Sequence, residues 1–194
     1  MPSSAAPPGR KLSLLQPARR RLDATRPRPG GPAWRHRRTP GPGPAGGPAA
    51  RTRRNGEPRV LLVDDETAIR TICRVNLEIA GMAVDEAADG GEALTRVREQ
   101  QPSLVLLDVM MPGVDGWTVA EQLAADPETR ELPVVFLSAR AGSDDRRRAH
   151  ALGAVGYIVK PFDPLELGAT VTTVLDRLRR GEREQLRQAI LAEA

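Results

Sequence analysis

Four short apolar runs in this 194-residue chain break off in reactive groups. Val60-Leu-Leu-Val63 stops at Asp64-Asp65, Leu104 to Leu107 stops at Asp108, Val134 to Leu137 stops at Ser138, and Val155 to Val159 stops at Lys160-Pro161. Three carboxylates brought to one place cannot all stay ionised without a counter-charge, because their repulsion raises their pKa values. A divalent cation removes the conflict. Oxygen ligands from a few carboxylates, with the other positions left to water and phosphate oxygens, suit Mg²⁺, whereas Ca²⁺ calls for more protein ligands. With the metal and Lys160 neutralising an incoming phosphoryl group, one carboxylate can act as nucleophile and become an aspartyl phosphate. The plain alternative is that Asp64, Asp65 and Asp108 each cap the turn that follows. Any one could, but that leaves three acids, a hydroxyl and an amine at corresponding run ends without a cause.

For these groups to meet, the runs must be parallel strands sharing a carboxyl rim, where doubly wound sheets bind ligands beside the point at which the winding reverses. The pattern from Arg59 onward supplies such a sheet: Val- and Leu-rich runs alternate with segments of helical period. The predicted strands are Arg59 to Val63, Ala83 to Ala87, Leu104 to Leu107, Val134 to Leu137 and Val155 to Val159. The first helix is expected from Glu66 to Ala80, with Ile69, Ile72, Cys73 and Ile79 on one stripe and Gly81 as a left-handed cap. Cys73 then reads as a core thiol. Helices two and three start after Asp89-Gly90 and Asp115-Gly116, both turn sequences. The fourth, near Asp144 to Leu152, is so polar that weak packing and mobility are expected, with His150 as a surface residue. The fifth carries Leu165, Leu167, Val171, Val174, Leu175 and Leu178 on its apolar face. The result is an α/β, doubly wound (βα)5 domain over residues 58–179.

The ends of the chain differ from this middle. Residues 1–57 hold 13 Lys and Arg against Asp23 and Glu57, with 11 Pro and 8 Gly, a composition that cannot bury enough surface to order its backbone. Residues 58–194 hold 16 cations against 23 acids. The basic arm reads as a disordered extension, in part the product of too early a translation start. It reads alternatively as a tail that holds nucleic acid or another polyanion through Arg19 to Arg21, Arg35 to Arg38 and Arg51 to Arg54. An export or transit sequence lacks its apolar core here. A lone cysteine excludes an internal disulfide or a thiolate metal cage, and no apolar run approaches the ~20 residues that span a bilayer, so a cytoplasmic location and no membrane partner are expected. Residues 180–194 read as a helical tail that extends the fifth helix past Gly181, with Leu186, Ile190 and Leu191 as an apolar edge, either docking or frayed.

From Arg59 to Arg179 the sequence resembles the receiver domain of bacterial response regulators, the phosphoacceptor half of two-component signalling. The matching elements are Val60-Leu-Leu-Val-Asp-Asp-Glu66, Leu106-Leu-Asp-Val-Met-Met-Pro-Gly-Val-Asp-Gly116, Val135-Phe-Leu-Ser-Ala139 and Gly156-Tyr-Ile-Val-Lys-Pro-Phe162. The resemblance implies a flavodoxin-like sheet of order 2-1-3-4-5. It implies that Asp108 takes a phosphoryl group from a phosphohistidine on a sensor histidine kinase or a histidine phosphotransfer protein. Asp65, Asp108 and the Met110 main-chain carbonyl would bind Mg²⁺, with Asp64 orienting a water on it. Lys160 and Ser138 would each meet a phosphoryl oxygen, and a cis peptide before Pro161 would aim Lys160.

Readout must be a local charge event coupled to a two-state element. The resemblance assigns this to Ser138 and Tyr157: the serine moves to the phosphoryl group and the ring rotates into the space left. The surface of the fourth helix, fifth strand and fifth helix is thereby reshaped for a downstream protein, and in this family often for a phosphorylation-dependent homodimer. Otherwise Tyr157 is an ordinary edge-strand aromatic. Arg140 and Met110 flank the place of an attacking water and neither is a general base, so slow spontaneous dephosphorylation is expected. A haloacid-dehalogenase-like phosphohydrolase would need a second acid where Met110 stands. A phosphate-independent scaffold acting through the arginine arm is the alternative from another class. A chain with only 15 residues after Arg179 is expected to be a stand-alone receiver, a phosphoacceptor switch rather than an enzyme.

Overall fold

A computed structural model describes residues 56–192, so the basic arm expected over 1–57 lies, except for its last two residues, outside the described residues. Five parallel strands, β1 (Arg59–Val63), β2 (Ala83–Ala87), β3 (Leu104–Asp108), β4 (Val134–Ser138) and β5 (Gly156–Val159), form one sheet in the order β2-β1-β3-β4-β5. The helices between them are α1 (Thr67–Ile79), α2 (Gly90–Gln100), α3 (Gly116–Ala125) and α4 (Ser143–Ala151), followed by α5 (Pro164–Arg179) and α6 (Arg183–Ala192). Strand alternation divides the core in two. Leu61, Val63, Val105, Leu107, Phe136 and Tyr157 belong to one buried cluster with α2, α3 and α4. Val60, Leu62, Leu104, Leu106, Leu137 and Ile158 belong to the other, with α1 and α5. Both faces are covered, which is why β1, β3 and β4 read as unbroken apolar runs.

Helix starts follow the acidic turn residues. Asp89 accepts from the Glu92 amide at 2.8 Å while Glu92 returns to the Ala88 amide at 2.8 Å, and Asp115 accepts from the Thr118 amide at 2.8 Å. Asp163 caps α5 through the Leu165 amide, with Pro164 in the first turn. Gly81 takes φ +85°, the left-handed conformation expected of it.

Three expectations about the helices need correction, two of them about faces and one about length. On α1 the buried residues are Cys73 and Leu77, while Ile72 and Ile79 are 46 % and 78 % exposed. The choice of face is made by α5: a Cβ on Gly168 would lie 2.8 Å from Ala80 Cβ and 2.9 Å from the Asn76 carbonyl, so only glycine lets the two helices approach along the Cys73 side. On α5, Leu165 is exposed rather than buried, because its position in the first turn lies ahead of the core stripe that begins at Leu167. Nor does α5 run on past Gly181. That residue takes φ +79°, Glu182 ion-pairs back to Arg177 and Arg180 at 2.8 and 2.7 Å, and the chain turns into α6 as a separate helix.

Candidate functional site: an acidic cluster at the carboxyl rim

Register brings the rim groups level. Val63 pairs with Leu107, so Asp64 and Asp108 leave their strands side by side; Asp108 pairs with Leu137, and Ser138 with Val159, one residue before Lys160. Alternation then sorts them by face. Asp64, Asp108 and Lys160 continue the Val60-Leu62, Leu104-Leu106 and Ile158 side, whereas Ser138 continues the side of Phe136 and Tyr157.

One carboxylate oxygen from each of Asp64, Asp65 and Asp108 lies within 4.8 Å of the others. Asp64 and Asp108 are buried and Asp65 faces solvent. The Lys160 ammonium stands 2.7 Å from Asp64 Oδ2 and 3.2 Å from Asp108 Oδ1. Burial works against the Lys160 charge, but Asp64 and Asp108 outweigh it and hold the group above the ordinary lysine value. Burial pushes the Asp108 carboxyl up; Lys160 opposes this, and Asp64 adds to it. The lysine thus gains from the pairing while Asp108 remains under-compensated, as follows from one cation serving two buried anions. The Met110 amide donates to the Asp108 carboxylate, leaving the Met110 side chain 54 % exposed. This donor set is oxygen-only and carries an excess of negative charge, so the residues fit a divalent cation of the Mg²⁺ type.

Further contacts fix the cluster. The Lys160–Pro161 peptide is cis, and the Lys160 amide donates to the Ser138 carbonyl at 2.7 Å. Asp64 Oδ1 accepts from the Glu66 amide at 2.9 Å, and its carbonyl accepts from the Arg70 guanidinium at 2.6 Å. Two contributors escaped the sequence reading. Arg70 looks like any surface helix arginine until it bonds the Asp64 backbone. Gly116 was visible only as a turn residue, yet a Cβ there would sit 2.1 Å from the Asp108 carbonyl oxygen, so the β3–α3 loop can close under Asp108 only with glycine in place.

Ser138 and Tyr157 meet on the opposite face. Ser138 is buried, its hydroxyl accepts the Arg140 amide at 3.1 Å, and it hydrogen-bonds Tyr157. The Tyr157 ring is buried already, 1 % exposed, and its hydroxyl donates to the Arg140 carbonyl at 2.8 Å. Burial pushes its pKa up. The ring is the last member of an aromatic column, with Trp117 and Phe136 centroids 4.5 Å apart and Phe136 and Tyr157 6.4 Å apart. Arginines of α4 cover both ends: Arg146 lies over Tyr157 at 5.2 Å and Arg148 over Trp117 at 4.8 Å. Met110, Arg140, Trp117 and Arg148 line an open groove beside the rim.

The response regulator receiver domain model matches residues 60–172, and the chain belongs to that family of signalling switches. It is 42 % identical over 122 residues to the phosphate regulon transcriptional regulatory protein PhoB of Rhizobium meliloti, covering 63 % of this chain and 54 % of PhoB. It is 40 % identical over 123 residues to the DNA-binding dual master transcriptional regulator RpaA of Synechocystis, covering 63 % of this chain and 51 % of RpaA. The chain therefore spans about half the length of these curated relatives. Among solved structures it is similar to the Vibrio cholerae chemotaxis protein CheY4, with a TM-score of 0.58 at 31 % identity, covering 61 % of this chain and 98 % of CheY4. The strand order and flavodoxin-like architecture agree with that likeness. Receiver domains bind Mg²⁺ in an acidic pocket, and Asp64, Asp65 and Asp108 form such a pocket here. No helix among the described residues is long and apolar enough to cross a membrane.

Proposed function

We propose that this chain is a phosphoacceptor switch in which Asp108 takes a phosphoryl group from a phosphohistidine on a sensor histidine kinase or a histidine phosphotransfer protein. The observation that carries this is the convergence of three carboxylates around one ammonium at the sheet rim. A carboxylate oxygen of Asp108 attacks phosphorus as the P–N bond breaks; the imidazole nitrogen keeps the bonding pair and takes up a proton, and an acyl phosphate remains on Asp108. Asp65, Asp108 and the Met110 carbonyl would hold Mg²⁺, with Asp64 contributing through water. When bound, the ion would neutralise the phosphoryl oxygens. Lys160 is already within reach of Asp108 and needs only to exchange a carboxylate for a phosphoryl oxygen. The exposed Ile72, Val75 and Ile79 of α1, with Leu165 at the start of α5, supply apolar area for the phosphodonor protein to cover.

Ser138 and Tyr157 form the readout. Movement of the serine hydroxyl toward the new phosphoryl group would free the Tyr157 ring to settle into the space left, and so alter the α4–β5–α5 side together with the α6 helix packed over it, the surface offered to a downstream partner. PhoB and RpaA are named as transcriptional regulators, which supports gene control as the output. Arg140 and Met110, neither a general base, favour a long-lived phosphoryl group.

Incubation with a small acyl phosphate and Mg²⁺, followed by intact-mass measurement, tests the central step. One phosphoryl group per chain is expected, and none on Asp108→Asn. An unmodified wild-type chain would overturn the proposal and leave the polyanion-binding reading of the arginine arm in its place.

A further inference from the structure

The α6 helix is not a solvated tail. Leu186 and Ile190, one helical turn apart, are 2 % and 0 % exposed, and they enter different cores. Leu186 joins the cluster of Ile158, Val174 and Leu175 on the α5 side, while Ile190 joins that of Tyr157 and Ala149 on the α4 side. The helix thus straddles β5, which ends the sheet, and packs on α4, β5 and α5 together. Polar contacts fix its direction. Arg183 donates to the Glu131 carbonyl at 2.6 Å, ahead of β4, and Arg187 donates to the His150 carbonyl at 3.2 Å, at the end of α4. His150 is half-buried beneath it rather than on the surface, a further correction to the sequence reading.

The seam is imperfect. His150 Nε2 and Arg187 Nε are buried without a hydrogen-bond partner among the described residues, and a void of about 10 Å³ remains between Ile158, Val174, Leu186 and Ala189. Each buried polar atom without a partner offsets part of what the apolar contacts of the seam supply.

We infer that α6 is a wedge that holds the Tyr157 ring inward, with Ile190 as its positioning residue, and that docking of α6 and loading of Asp108 favour one another. This rests on the phosphoacceptor reading above. Tyr157 and Ile190 are both buried in one cluster with Ala149 of α4, so Ile190 belongs to the packing that a ring moving outward on that side would have to open. The inward ring donates to the Arg140 carbonyl at 2.8 Å and stands beside the space that Ser138 would leave on moving to a phosphoryl group, so loading favours the inward ring. Both sites thereby bias one two-state element, the tyrosine, and coupling of this kind is reciprocal. Because α6 packs on α4, β5 and α5, a second copy could pair through that side only by displacing it, so the loaded chain is expected to stay monomeric.

Tyr157 is the only tyrosine in the chain, so the nitrotyrosine formed by tetranitromethane, read by its own absorbance, reports on it alone. In the full-length protein, Ile190→Asp is expected to raise the nitration rate at least 10-fold and to weaken beryllofluoride binding in the presence of Mg²⁺ by a similar factor. Ile190→Leu should restore both, and Gln188→Asp, on the exposed side of α6, should change neither. In the wild type, beryllofluoride is expected to slow hydrogen exchange of residues 185–192 several-fold, a measurement that needs no variant to fold. Exchange that is unchanged or faster in the loaded protein overturns the inference, as does a dimer on loading. Beryllofluoride that fails to bind would instead remove the phosphoacceptor reading, and nitration of Ile190→Asp at the wild-type rate would then remove the wedge as well.

Discussion

The carboxyl rim and the outer edge of β5 lie on the same sheet but are assembled by different means. The rim is made by strand ends: apolar runs stop, register sets the stopping residues level, and alternation puts Asp64, Asp108 and Lys160 on one face. The edge is made by closure, with α6 returning from beyond Gly181 to put Leu186 and Ile190 on either side of β5. A site built on register needs few residues and short-range rules. A surface built by closure depends on contacts that no local pattern specifies. The rim gathers charge in excess of its counter-ions, whereas the edge buries apolar side chains and leaves polar atoms imperfectly matched.

Breaking the rim should cost most. Lys160 is the ammonium that both buried carboxylates share, so Lys160→Met leaves Asp64 and Asp108 facing each other unpaired. Removing one partner of a buried ion pair costs about 3–5 kcal/mol. Urea denaturation without added metal should show a loss of that order, and millimolar Mg²⁺ should return part of it by binding the folded state. A loss below about 1 kcal/mol would mean that the two carboxylates are satisfied without the lysine.

The edge should come next. Ile190 is fully buried, and truncating such a side chain to alanine costs about 2–4 kcal/mol, so Ile190→Ala should lower the unfolding free energy by that much in a single cooperative transition. A frayed tail would lose nothing. Should Ile190→Ala leave stability unchanged while Lys160→Met reduces it, the edge would be an accessory rather than part of the fold.

The difference in legibility between the two regions is physical. Strands and rim acids could be read because a covered parallel strand is a short apolar run with an abrupt end, and each end carried its own chemistry. The face of α1 could not, because that helix has two apolar stripes, Ile69-Cys73-Leu77 and Ile72-Val75-Ile79. Gly168, about 90 residues away, decides between them. The break before α6 was missed although Gly181 after the basic run Arg177 to Arg180 is a helix-stop signal, while the apolar edge of Leu186 and Ile190 was legible. What the helix would cover was not. Nor could the sequence show the Tyr157 ring already buried, or α4, read as weakly packed, laying Arg146 over it.

Cys73 probes the ground behind the rim. Its thiol is buried on α1, and burial, with a smaller contribution from Asp64, pushes its pKa from 9.0 up to about 11. Between those values the unfolded chain gives up the thiol proton first, so the folded state binds more protons and stability falls as pH rises. The contribution is complete below about pH 9 and gone above about pH 11, at up to about 1.4 kcal/mol per pH unit, or about 2–3 kcal/mol in all. The difference in unfolding free energy between wild type and Cys73→Ala, followed from pH 8 to pH 11, isolates it from other titrating groups. A difference independent of pH would place the thiol in a wetter setting than its burial indicates.

The smallest effect is expected where rim and edge communicate. Arg148 of α4 lies 4.8 Å over Trp117 and pairs with Glu121 of α3 at 2.8 Å, joining the helix beside Tyr157 to the one that starts under Asp108. Both partners of the ion pair are half exposed, so water screens it and the cation–π contact alike; Arg148→Ala should cost less than about 1 kcal/mol. Its effect on Trp117 should be larger than its effect on stability, since the guanidinium covers the indole. In a Trp34→Phe background, Arg148→Ala should therefore change Trp117 emission while moving the urea midpoint little. If the midpoint moved as far as for Ile190→Ala, α4 would be held from α3 rather than from α6, and the edge would owe its position to the rim.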